Sequence, residues 1–157
     1  MMVSIIRSLL ADRRGASVSE LALIVPLLAG LIFCGVDLAN GFAARLKLEQ
    51  AAGRAIEMAS APGTVSKGGY EYLRSEAASA SGQPAGNVVI DNWVECDGVR
   101  KSSFTTVCTG GQQTARYVSV RVNALYQPLF NFMGLIFGPP VPTGGVSIFG
   151  DAMVRVQ

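Results

Sequence analysis

One uncharged stretch, residues 21–36, constrains the fold of this chain more than any other part of its sequence. With residues 17–19 in front of it, the stretch reaches the roughly 20 residues that a bilayer-spanning helix needs. Arg13 and Arg14 precede it and Asp37 follows it, so the positive-inside rule places its N-terminal end in the cytoplasm. We therefore expect a single-pass protein of the inner (cytoplasmic) membrane whose remaining residues are exported.

The helical pattern continues beyond the membrane stretch. Between residues 37 and 61, apolar residues recur at spacings of three, four or six, and charged residues occupy the other faces. One helix over about residues 17–60, kinked at Pro26, would be on the order of 65 Å long, with about half of it in lipid. A Pro-Gly pair at residues 62–63 predicts its end.

The rest of the chain predicts a small exported domain. A short helix is expected over residues 70–81, and a Gly- and Pro-containing breaker follows it. Alternation of apolar and polar residues predicts strands at 88–95, 104–109, 116–126 and 152–157, with a turn at Asp97 and Gly98. An earlier start at Val146 is the alternative for the last strand. The predicted class is α+β: a long N-terminal membrane-spanning helix, then a short helix and an antiparallel sheet.

The predicted organisation has three parts. Residues 1–15 form a cytoplasmic leader, residues 16–61 the transmembrane helix with its amphipathic extension, and residues 62–157 the exported α+β domain. Within the third part, the apolar segment 129–137 is too short to span a bilayer. Two interpretations stay open for it: a loop or helical turn packed on the sheet or the long helix, and an exposed patch that touches the membrane surface or a partner.

The three cysteines fit this placement. Cys34 lies in the apolar stretch, where a thiol behaves as a small hydrophobic group. Cys96 and Cys108 lie in the exported part, and in an oxidising compartment they are expected to form a disulfide worth about 3 kcal/mol. Two free thiols are the alternative. A metal site is not expected, because the chain has no histidine and these cysteines lack a CxxC spacing.

The residue inventory argues against catalysis and against nucleic-acid binding. Without histidine the usual proton shuttle is missing, and neither a GxSxG motif nor a P-loop is present. Asp91, Glu95 and Asp97 are expected to form a solvated strand edge. Residues 16–157 carry 10 basic and 10 acidic groups, so no excess positive charge is available for phosphates. We expect a protein that is not an enzyme, with no catalytic site, metal or cofactor.

The carboxylate of Glu20, at the start of the apolar stretch, requires an explanation because an acid in a spanning helix is costly. If a membrane peptidase cuts after Gly15, the new amino group of Ala16 lies a little more than one helical turn from Glu20, within one chain or on a neighbour. Opposite charges there can neutralise each other. The alternative is an uncleaved signal anchor with an incidental acid at the interface.

Residues 13–56, which include this Gly15-to-Glu20 motif and the apolar stretch, resemble the N-terminal region of TadE-like proteins, pilin-like components of tight-adherence (Tad, or Flp) pili. The resemblance implies cleavage between Gly15 and Ala16 by a prepilin peptidase and pairing of Glu20 with the freed amine. It also implies partnership with other pilin-like subunits and with the Tad assembly machine. Leu21 departs from the Tyr or Phe often found there, which favours a minor subunit over the main fibre protein.

The function implied by this resemblance is structural. It is that of a minor pilin, or pseudopilin, of a type IVb pilus, acting in pilus initiation, at the tip or in assembly for surface adherence. The alternative function is an uncleaved single-pass scaffold or binding protein of an envelope secretion or adhesion system.

Overall fold

The computed structural model describes residues 14–60, 70–130 and 145–156, and it confirms the predicted α+β class. The helices and strands, in chain order, are α1 (Arg14–Ala59), α2 (Tyr72–Ser81), a 3-10 turn (Ala85–Asn87), β1 (Val88–Cys96), β2 (Val99–Arg100), β3 (Thr114–Tyr126) and β4 (Val146–Arg155). Helix α1 includes Pro26 and continues beyond it. The predicted leader lies outside the described residues as far as residue 13, and the Pro-Gly pair at 62–63 also lies outside them.

The described residues divide into two compact units. The first holds residues 14–39 together with 129–130, and the second holds 40–60, 70–128 and 145–156. Helix α1 therefore contributes its first half to one unit and its second half to the other.

The second unit contains a four-stranded antiparallel sheet with the order β2-β1-β3-β4. A tight hairpin joins β1 to β2, and Asp97 and Gly98 form its turn with φ values of 50° and 78°. A two-residue turn of this kind requires positive φ at both positions, and Asp and Gly tolerate it better than most residues. The predicted turn at these residues is confirmed.

One face of the sheet is covered by the second half of α1 and by α2. Alternation along β3 buries Val118, Val120 and Val122 completely. The helix residues that complete this core are Leu48, Ala52, Ala55, Ile56 and Ala59 of α1, and Leu73 and Ala77 of α2. Small side chains on α1 allow a close approach to β4, where a Cβ on Gly150 would overlap the backbone of Leu48 and Glu49.

The strand predicted at residues 104–109 is wrong. Residues 101–113 form turns and irregular structure, and β2 provides the hairpin partner of β1. Hydroxyl groups account for the difference, because the Ser103 hydroxyl bonds Thr105 Oγ1 at 2.8 Å and accepts a hydrogen bond from the Thr105 amide at 3.3 Å. Local bonds of this kind compete with a strand ladder. Phe104 packs edge-to-face against Tyr70, with 5.7 Å between ring centroids.

Candidate membrane and assembly segment

The first half of α1 presents large apolar side chains on all sides. Among the described residues, α1 from Glu20 to Ala59 is the one helix long and apolar enough to cross a membrane. Only 6% of its most apolar 18-residue stretch is buried. The exposed large residues of this half are Val18, Leu21, Leu23, Ile24, Val25, Leu27, Leu28, Leu31, Ile32, Phe33 and Val36. A core helix of a soluble protein would bury such residues, so this half requires an apolar environment from outside the unit.

The predicted processing residues lie at the start of α1. Gly15 and Ala16 are helical and lie among the first described residues of α1. A peptidase needs extended backbone, so cleavage after Gly15 requires this part of the helix to open.

Glu20 lies four residues after Ala16, so the two positions share one helix face about 6 Å apart along the axis. Its side chain is exposed, and within the described part of the chain it makes no hydrogen bond or ion pair. An exposed carboxylate on an apolar helix face is available to a cation supplied by its own N-terminus or by another molecule. Cleavage at Gly15 and this pairing stay predictions.

Asp37 has a structural role that our sequence reasoning missed. Its Oδ1 accepts a hydrogen bond from the Leu129 amide at 2.7 Å, and its Oδ2 accepts one from the Phe130 amide at 2.8 Å. One turn earlier in α1, Phe33 stacks on Phe130 with 4.6 Å between ring centroids and 27° between ring planes. These contacts attach the start of the apolar segment to α1, as one of the two interpretations expects. Residues 131–137 of that segment lie outside the described residues.

The structure contains the predicted disulfide between Cys96 and Cys108, with 5.6 Å between their Cα atoms. Cys96, the last residue of β1, is 1% exposed, and the bond attaches the irregular loop after β2 to the sheet. Cys34 in α1 is a free thiol. Disulfides form and persist mainly in oxidising compartments.

The acidic residues of the β1–β2 region make structural contacts. Asp91 pairs with Arg100 at 2.8 Å, Glu95 accepts a hydrogen bond from the Trp93 indole at 2.9 Å, and Asp97 accepts one from the Gln113 amide at 2.8 Å. Within the described ranges, no group of three or more His, Cys, Asp or Glu residues is placed to hold a metal ion. These side chains stabilise the hairpin and its neighbouring loop.

One protein-family model matches this chain, and the matched residues all lie in α1. The model of the TadE-like protein family matches residues 15–56, which begin at Gly15 and run through the exposed half of α1 into its buried half. Comparisons with curated proteins and with solved structures find no match.

Proposed function

We propose that this chain is a minor pilin, or pseudopilin, of a Tad (Flp, type IVb) pilus machine, with a structural role in pilus initiation, at the tip or in assembly. The observation that carries the proposal is the family match at residues 15–56. The match starts at the proposed cleavage site and includes Glu20 and the exposed apolar half of α1. In this proposal the chain is not an enzyme, and its partners are a prepilin peptidase, other pilin-like subunits and the assembly machine.

The proposed placement has the leader in the cytoplasm, the apolar half of α1 in the inner membrane and the α+β domain exported. Two observations support it. The basic residues Arg13 and Arg14 flank the apolar stretch on its N-terminal side. The disulfide between Cys96 and Cys108 suits an oxidising compartment on the other side.

Cleavage after Gly15 changes the electrostatics of the N-terminal end. It removes all three arginines of residues 1–15, which hold that end in the cytoplasm, and it creates an ammonium group at Ala16. We propose that this ammonium pairs with Glu20 of a neighbouring subunit. In an apolar environment each charge then avoids the several kcal/mol that an unpaired buried ion typically costs. The pairing links processing to assembly, because the uncleaved chain has no amine at this position.

The proposal is tested by intact-mass measurement of the protein from cells with and without the prepilin peptidase. We expect a mass lower by residues 1–15 only where the peptidase is present. A bulky Gly15→Leu substitution should leave the full-length precursor, because the side chain obstructs close backbone approach, whereas Gly15→Ala should still be processed. A full-length mass in both strains would contradict the proposal and favour the uncleaved scaffold.

A further inference from the structure

We propose that Leu129 and Phe130 form a second membrane contact, in the interfacial layer beside the exported end of the apolar half of α1, and that Asp37 holds them there. The inference rests on the membrane placement proposed above and adds a lipid-binding surface from a part of the chain remote from α1 in sequence. Leu129 lies 92 residues after Asp37, and the two are joined by a hydrogen bond.

The depth of this contact follows from the helix geometry. Asp37 is the first charged residue after the apolar stretch, so it lies at the headgroup boundary. Phe33 lies one turn closer to the bilayer centre, about 6 Å along the axis. Because the Phe130 ring stacks on Phe33 at 4.6 Å, it extends below the level of Asp37. The Phe130 ring therefore lies near the boundary between headgroups and acyl chains, where aromatic side chains are enriched.

The hydrogen bonds of Asp37 lower the free-energy cost of placing its carboxylate and the two amides near the bilayer. Backbone amides near hydrocarbon require acceptors within the protein, and the two carboxylate oxygens accept from the amides of Leu129 and Phe130. The carboxylate gains two charge-assisted hydrogen bonds at a place where an unpaired charge is costly. One contact therefore satisfies two amides and an anion at the edge of the bilayer.

The exposed surfaces identify lipid as the occupant. Leu129 is 68% exposed and Phe130 is 40% exposed, although both are large apolar residues. Phe130 adjoins the apolar surface of α1 through Phe33, and Phe33 and Val36 on that side of the helix are 40% and 42% exposed. A continuous apolar surface is expected to share one environment, and the environment proposed for this half of α1 is the bilayer.

The test uses the full chain in nanodiscs of phosphatidylcholine and phosphatidylglycerol, in a Cys34→Ala background that keeps the native disulfide. An environment-sensitive fluorophore is attached in turn to Leu129→Cys, to Leu28→Cys within the apolar stretch and to Ser79→Cys on the exposed side of α2. Quenching is measured with lipids spin-labelled near the headgroup or along the acyl chain, and with a water-soluble quencher. Position 28 tests the membrane placement, and position 79 is the aqueous control.

We expect the label at 129 to be quenched by headgroup-proximal spin labels and to be about fivefold less accessible to the aqueous quencher than the label at 79. Asp37→Ala should raise the aqueous access of position 129 towards that of 79 and leave position 28 unchanged. Asp37→Asn, which keeps one acceptor oxygen, should give an intermediate value.

Aqueous access at 129 equal to that at 79, with 28 quenched by lipid, would overturn this inference and leave the proposed function standing. Protection of 129 from both lipid and aqueous quenchers would also overturn it, because the surface would then be covered by protein. Failure of lipid to quench position 28 would contradict the membrane placement itself, and with it the proposed function.

Discussion

The two halves of α1 belong to one helix and yet use their side chains in opposite ways. Residues 20–36 carry large apolar groups on all sides and leave most of them exposed, whereas residues 48–59 bury one stripe composed mostly of alanine. A helix that is apolar all round requires an apolar solvent, while a one-sided stripe requires a single packed neighbour. The distribution and size of the apolar residues therefore distinguish a membrane segment from a core helix.

Alanine suits the second half because it permits close packing. Ala51, Ala52, Ala55 and Ala59 are at most 3% exposed. Their short side chains let the helix approach the sheet so closely that Gly150 of β4 touches its backbone. In the first half, by contrast, a Cβ on Gly35 would meet no atom within 4 Å. Small residues are thus needed for packing against the second half of α1, whereas at Gly35 in the first half a larger side chain would meet no described atom.

The largest expected difference comes from removing one leucine from each half. Leu48→Ala should lower the unfolding free energy of the exported domain by about 2 to 5 kcal/mol, because Leu48 is 3% exposed and its truncation leaves a cavity. Leu23→Ala should leave it unchanged, because Leu23 is 80% exposed. Urea unfolding of the full chain in detergent, followed through the single tryptophan Trp93, measures both. Equal effects of the two substitutions would contradict the division between the halves.

A smaller contrast is expected between two glycines. Gly150→Ala should destabilise the domain by about 1 to 3 kcal/mol, because the added methyl group overlaps the backbone of Leu48 and Glu49 and forces helix and strand apart. Gly35→Ala is the matched control and should not lower the stability of the domain. The same unfolding measurement applies. A neutral Gly150→Ala variant would mean that α1 and β4 do not pack at the distance described.

The smallest expected effect concerns Tyr70, which is 4% exposed and whose hydroxyl has no hydrogen-bond partner among the described residues. Burial, and secondarily the neighbouring Tyr72, raise the pKa of Tyr70 above its ordinary value of 10.0. The unfolded chain then releases this proton at a lower pH than the folded chain. The resulting contribution to stability is complete below pH 10.0 and is lost as the pH rises through the folded-state pKa.

Tyr70→Phe should therefore change stability by less than about 1 kcal/mol at neutral pH, since it removes an unpaired hydroxyl, and should lessen the loss above pH 10. Tyr72→Phe is the matched control. It loses the hydrogen bond from its hydroxyl to the Met58 carbonyl, 3.3 Å long, and should cost about 0.5 to 1.5 kcal/mol. Urea unfolding midpoints of both variants, measured below and above pH 10, test these expectations. If Tyr70→Phe loses as much stability above pH 10 as the unsubstituted protein, other groups cause that loss.

Local patterns predicted most of the secondary structure. The bounds of α1, α2 and β3 lie within a few residues of those expected from periodicity, and the hairpin turn at Asp97 and Gly98 follows from residues suited to positive φ. The strand expected at 104–109 failed because apolar and β-branched residues there satisfied a strand pattern while the Ser103 hydroxyl favoured a turn. Strand propensity depends on packing partners that a local window does not contain.

Less of the contact pattern within each unit could be predicted. The sequence shows the charge of Asp37 and its position after the apolar stretch. Nothing near it in sequence indicates that it binds backbone amides 92 and 93 residues away. The buried stripe of α1 was also ambiguous, because Leu46 and Leu48 fit the same apolar pattern. The structure leaves Leu46 39% exposed and buries Leu48. Choosing between them requires the position of the sheet.

The proposed pairing of Glu20 with a freed amine during assembly is tested by Glu20→Gln and Glu20→Ala in cells that form pili. Both variants should insert normally, because removing a charge makes the apolar helix easier to place in a bilayer. Both should also be cleaved, since Gly15 lies more than a turn from the changed side chain.

Pilus formation and co-purification with partner pilins, set beside the N-terminal mass of each variant, give the result. We expect both variants to lack residues 1–15, to stay in the membrane and to fail to assemble, because the neighbour's ammonium group then lacks its partner in an apolar site. Normal piliation by a cleaved Glu20→Ala protein would contradict the proposed pairing.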